Sequence, residues 1–112
     1  MCTQSQLNDI LSTVVTEAKD VFASAFHAAI LYGSYARGDY DEQSDIDVLL
    51  LVDMSAEELA GYREQVDHIC GRVLYEHGAV LSLLEKDLAT YEKYREALPF
   101  YRNIEKEGRR IA

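Results

Sequence analysis

Ala28-Ala29-Ile30-Leu31-Tyr32-Gly33-Ser34-Tyr35-Ala36-Arg37-Gly38, then a polar loop from Asp39 to Ser44, then Asp45-Ile46-Asp47-Val48-Leu49-Leu50-Leu51-Val52, sets the architecture of this 112-residue chain. Ala28 to Tyr32 is a short apolar run closed by Gly33 and reads as a buried strand. Ser34 to Gly38 is one helical turn ended by a glycine, and Asp39 to Ser44, polar apart from Tyr40, is a loop. Asp45 to Val52 is almost continuously apolar beyond its first three residues, the pattern of a central strand covered on both faces.

Outward from this centre, Leu7, Ile10, Leu11, Val14, Val15, Ala18, Val21 and Phe22 follow the helical period, which predicts a helix from Leu7 to about Phe26 with Thr3 or Ser5 as its cap. On the other side, Ser55 with Glu58 three positions later opens a helix. Its apolar stripe is Leu59, Tyr62, Val66, Ile69, Cys70, Val73 and Leu74, and Gly78 stops it. Ala79 to Leu84 is a third strand, Asp87 caps a helix to about Ala97, and Pro99 starts a last helix that ends before Gly108. The order α-β-α-β-α-β-α-α describes an α/β chain, a small sheet with helices packed against it, in one domain spanning residues 1–112.

Composition narrows the function. Apolar residues make up 48% of the chain and charged residues 28%, enough for a packed core and unlike disorder. The longest apolar run, Ile46 to Val52, is interrupted by Asp47 and falls far short of the ~20 residues a membrane helix needs. The first residues lack a secretory pattern, so a cytoplasmic location is expected. A net charge of −9 repels phosphate backbones and argues against general nucleic-acid binding, while leaving room for one local phosphate site. Cys2 and Cys70 suggest no structural disulfide, and with His27, His68 and His77 they form no zinc-type pair.

The central stretch also carries chemistry. A strand ending in Gly-Ser at a helical turn presents backbone N–H groups and the Ser34 hydroxyl to an anion, and Gly33 lets a phosphate approach the backbone. Arg37, three residues on, shares that face. Asp45 and Asp47 at i and i+2 of a strand leave the same face, with Cα atoms roughly 6.5–7 Å apart. Such a pair suits Mg²⁺ shared with substrate phosphate oxygens. Asp47 sits within an apolar run where an uncompensated charge is costly, so the pair wants a cation.

Gly-Ser-x-Ala-Arg-Gly, a loop, then Ser-Asp-x-Asp over residues 33–47 resembles the signature of the DNA polymerase β-like nucleotidyltransferase superfamily. More closely it resembles the minimal nucleotidyltransferases (MNT), the antitoxins of HEPN–MNT toxin–antitoxin pairs. The segment 99–108 is similar to the tail of many short relatives. The resemblance implies a mixed sheet with flanking helices, a nucleotidyltransferase core without a second domain. It also implies Mg²⁺-dependent attack of a hydroxyl on the α-phosphate of ATP, with AMP passing to a tyrosine of a HEPN-type toxin. By position, Gly33 and Ser34 hold the nucleotide phosphates, Arg37 and Ser44 belong to the same nucleotide-binding motif, and Asp45 and Asp47 are the catalytic metal ligands. Active members place a third carboxylate in the strand after the next helix. Here Ser82 is that strand's only polar residue and is expected at the third-acid position, with Glu76 and Glu85 as nearby substitutes. A hydroxyl there makes a nucleotide-binding relative that neutralises its partner by contact alone the alternative reading.

With no second domain, the acceptor comes from a partner protein or from a second copy of the chain. A small-molecule nucleotidyltransferase is disfavoured on the same ground. Tyr91, Tyr94, Phe100 and Tyr101 have spacings that allow an exposed aromatic patch or the closing of the core.

Overall fold

A computed structural model describes residues 3–112, so Cys2 lies outside the described residues. Helix α1 spans Gln4–Phe22, and the Thr3 hydroxyl accepts from the Gln6 N–H while the Gln6 side chain accepts from the Thr3 N–H. The helix ends with its apolar pattern at Phe22, four residues before the expected end near Phe26. Ala23 turns to φ +49°, and a 3₁₀ turn, Ala23–Ala25, leads into strand β1, Phe26–Tyr32. Phe26 pairs with Val52 across the sheet, so tertiary pairing claims a residue whose local pattern suits either helix or strand.

One helical turn, α2 (Ser34–Arg37), and the loop lead to β2, Ile46–Val52, which is antiparallel to β1. The expected single helix after Ser55 is two: α3, Ala56–Ala60, and α4, Arg63–His77. Gly61, a poor helix former, and Tyr62 interrupt them with i→i+3 bonds to Glu58 and Leu59, and the Tyr62 ring packs on Phe22 at 5.2 Å. Leu74, assigned to the buried stripe, is instead 54% exposed.

Strand β3 runs Leu81–Asp87, starting later and ending later than expected, and lies parallel to β2. Asp87 caps α5, Leu88–Tyr94, through the Thr90 N–H, and Pro99 opens α6, Pro99–Glu107. A fourth strand, β4 (Arg109–Arg110), pairs antiparallel with Ile30 and Leu31 of β1 and gave no sequence signal. Its approach requires Gly108, where a Cβ would lie 2.7 Å from the Ile30 side chain.

The sheet order is β3-β2-β1-β4. β2 is central, and its alternate residues feed two separate apolar clusters. Val48, Leu50 and Val52 join Ile10, Val14, Val66, Ile69 and Val73 beneath α1 and α4. Leu49 and Leu51 join Ala28, Tyr91, Tyr101 and Ile104 beneath α5 and α6. Each fully buried aliphatic side chain contributes about 1.5–3 kcal/mol relative to exposure. The aromatic group near the C-terminus therefore splits: Tyr91 and Tyr101 close this second core, while Tyr94 and Phe100 stay exposed.

Candidate active site

The site lies where β1 ends and β2 begins. Antiparallel pairing puts Tyr32 opposite Asp47, so the residue after Tyr32 meets the Asp47 side chain. That residue is Gly33, at φ +73°, and a Cβ there would stand 2.3 Å from Asp47 Oδ2. Both the backbone conformation and the space demand glycine. The N–H groups of Ala36 and Arg37 return to the Gly33 carbonyl at 3.1 Å. With a single turn, α2 has little macrodipole, so an anion here relies on the Ser34 hydroxyl, nearby backbone and the Arg37 charge.

The Tyr35 and Tyr40 rings stack at 4.3 Å and pin the following loop against α2. Within that loop Asp41 accepts from the Ser44 hydroxyl at 3.3 Å, and its own N–H donates to Ser44 Oγ at 3.0 Å. Ser44 is thus engaged in shaping the turn that delivers Asp45.

Asp45 lies just before β2, exposed, and not within the strand as expected. The ladder starts one residue later, where the Ile46 N–H donates to the Val80 carbonyl at 2.9 Å. Asp45 thus stands one residue outside the ladder, and the two carboxylates feel each other. Asp47, half-buried, has its pKa raised, first by burial and then by the charge of Asp45. Arg37 and a hydrogen bond with Ser82 pull the other way.

Ser82 is in register with Asp47 on the neighbouring strand and shares its face. Glu85 is in register with Leu50 and pairs with Arg63 at 2.9 Å, and Glu76 on α4 pairs with Arg72 at 2.9 Å. Both alternative carboxylates are committed elsewhere.

Gly33, Ser34, Arg37 and Asp47 form one wall of a cleft of about 380 Å³. The other wall is Tyr32 and the α6 residues Phe100, Asn103, Ile104 and Glu107. Ser44 and Asp45 line a neighbouring hollow of about 230 Å³ instead, with His77 and Val80. Sequence reasoning missed the α6 wall. Residues 100, 103 and 107 share a helical face, but spacing alone does not say what that face meets.

The donor set fits a hard divalent cation. Asp47 offers carboxylate oxygens beside a cradle that a Cβ would fill, and Asp45, on the neighbouring hollow, is near enough to raise its pKa; a cation shared with phosphate oxygens and water would suit the two. Among the described residues no three His, Cys, Asp or Glu side chains gather as a metal cluster. The chain itself offers two carboxylates beside a hydroxyl.

A glycine-serine turn and an arginine thus meet the strand-borne Asp47 at one end of a mixed sheet, with Asp45 just before the strand. The chain belongs to the nucleotidyltransferase domain family, whose model matches residues 15–112. It is 33% identical over 95 residues to a protein of Methanocaldococcus jannaschii named "Putative protein adenylyltransferase", covering 85% of this chain and 87% of that one. A second protein of the same name and organism is 43% identical over 47 residues, covering 42% of this chain and 48% of the other. In fold, the chain resembles one from the crystal structure of a toxin–antitoxin with AMP-PNP, with TM-score 0.62, 14% identity and coverage of 91% and 72%. It also resembles one from the structure of a tri-AMPylated Shewanella oneidensis HEPN toxin in complex with its MNT antitoxin, with TM-score 0.57, 12% identity and coverage of 94% and 71%. Among the described residues no helix is long and apolar enough to cross a membrane.

Proposed function

We propose that this chain is a Mg²⁺-dependent adenylyltransferase that moves AMP from ATP to a tyrosine hydroxyl of a HEPN-type partner protein and so acts as its antitoxin. The observation that carries the reading is the contact between the two halves of the motif: Asp47 meets Gly33 directly, in a cleft that also holds Ser34 and Arg37. Names of the relatives and the fold neighbours support the choice of AMP and of a HEPN partner.

The acceptor oxygen attacks the α-phosphorus, the bond to the β-phosphate oxygen breaks, pyrophosphate leaves and the hydroxyl proton is released. Bound Mg²⁺, held by Asp45 and Asp47, would supply charge neutralisation at phosphorus and a more acidic acceptor hydroxyl. Ser34 donates to the leaving phosphates, and Gly33 admits them to the backbone. Arg37 balances their charge. The test is mass spectrometry for an AMP adduct on the partner after incubation with ATP and Mg²⁺. Partner bound tightly but left unmodified would favour neutralisation by contact alone, the reading that Ser82 beside Asp47 supports.

Arg37 is held by Asp39 at 3.2 Å and by Glu107 of α6 at 3.5 Å, so a carboxylate occupies the guanidinium that phosphate needs. Glu107→Gln is expected to tighten ATP binding several-fold, and Arg37→Ala to weaken it by about tenfold, the scale of a charge-assisted hydrogen bond. Melting temperatures should barely move, because exposed pairs contribute little to the fold. Calorimetry beside thermal melts checks both; a fall in melting temperature matching the lost affinity would make Arg37 a structural residue.

A further inference from the structure

We infer that the cleft-facing side of α6 is the nucleobase subsite, with Phe100 as its stacking platform and Asn103 as the group that selects adenine. This rests on the adenylyl-transfer reading and adds to it the part of the chain that recognises the base.

The cleft is chemically polarised. One wall carries the anion-seeking groups, Ser34 and Arg37. The other carries an aromatic ring and an amide, with Glu107 at its far end paired to Arg37. Phe100 remains 43% exposed, although Tyr101, its neighbour, is buried in the core. The Tyr32 ring meets it edge-on, centroids 5.6 Å apart at 90°, and so fixes its orientation without covering it with a parallel ring. An exposed, held aromatic ring in a cleft wall is the surface on which a flat base stacks, worth about tenfold or more in affinity.

Asn103 lies one helical turn on, in the same wall, exposed. Its amide has no side-chain partner among the described residues, yet carries both a donor and an acceptor. That pair matches adenine, which offers an amino donor beside a ring-nitrogen acceptor, and mismatches guanine, which offers two acceptors on the same edge. The charged wall takes the phosphates and the α6 wall the base, so one cleft accommodates both ends of a purine nucleotide.

The experiment is calorimetric titration of the full chain with the Mg²⁺ complexes of ATP, GTP and tripolyphosphate, using wild type, Phe100→Leu, Phe100→Tyr and Asn103→Ala, with melts to verify folding. Wild type should bind ATP at least tenfold more tightly than tripolyphosphate. Phe100→Leu should erase most of that difference while leaving tripolyphosphate within twofold, and Phe100→Tyr should keep it. Asn103→Ala should bring ATP and GTP to similar affinity. Equal wild-type binding of ATP and tripolyphosphate, or an equal loss of both in Phe100→Leu, would overturn the base subsite and leave the phosphate cradle standing. Unchanged ATP binding in Phe100→Leu with a slower transfer to the partner would assign this wall to the acceptor and also overturn it. Binding of neither ligand to wild type would instead remove the adenylyl-transfer reading itself.

Discussion

Replacing Asp47 by asparagine is expected to abolish AMP transfer and, at neutral pH, to raise the melting temperature of the ligand-free chain. The first effect follows from the metal-holding role proposed for Asp47, which lies against Gly33 and feels the charge of Asp45. Loss of a direct ligand should exceed the roughly 10–100-fold that outer-shell partners of a metal cost. The second follows from the raised pKa of Asp47, caused first by burial and then by Asp45. A carboxyl whose folded pKa lies above its unfolded value, about 3.9, stabilises the fold fully below that value and loses the contribution as pH rises through the folded pKa. Ionised Asp47 therefore opposes folding at neutral pH, and the neutral amide does not. Melts of the two proteins should coincide in acid and separate as pH rises, the variant being the more stable. Mg²⁺ with ATP should raise the melting temperature of wild type far more than that of the variant. An asparagine variant less stable than wild type at neutral pH would mean that the fold already compensates the Asp47 charge.

Ser82→Asp is expected to strengthen Mg²⁺ binding and speed transfer by about tenfold or more, while lowering the melting temperature of the ligand-free chain. Ser82 is in register with Asp47 and exposed, so the added carboxylate has room and points to the same face. It also replaces a hydroxyl whose hydrogen bond eases the Asp47 charge with a third negative charge. Without a cation the three repel; with one they form a fuller oxygen shell. Adduct formation on the HEPN-type partner and metal titration measure the gain. Efficient wild-type transfer, left unimproved by the substitution, would take Ser82 out of the third-acid role.

The strand–turn–helix–loop–strand core was readable because each boundary carried a chemical marker: Gly33, Gly38, the polar loop, then a run of aliphatic residues. Thr3, Ser55, Asp87 and Pro99 marked helix starts for the same reason, and each does so in the structure. Failures fell where long-range contact outweighs local pattern. Ala23 ends α1 without a glycine, because β1 must begin in time to pair Phe26 with Val52. β4 is held by backbone pairing and by the Arg110 side chain donating to the His27 carbonyl, and a two-residue strand leaves no trace in side-chain periodicity. The neighbours of Asp45 predict a strand residue, but the β2 ladder begins with the Ile46 N–H. In the site, residues adjacent in sequence were legible and those brought by α6 were not.

The two apolar clusters on opposite faces of the sheet give the cleft walls unequal mechanical footing. The carboxylate wall stands on the larger core, gripped by α1 and α4, whereas α6 buries only Tyr101 and Ile104 in the smaller one and is otherwise held by contacts nearer the surface, Phe100 on Tyr32 and Glu107 on Arg37. Local opening is expected to be easier on the side of the smaller cluster than in α1 or α4. Of the two walls, the one that carries Asp47 has the broader apolar footing.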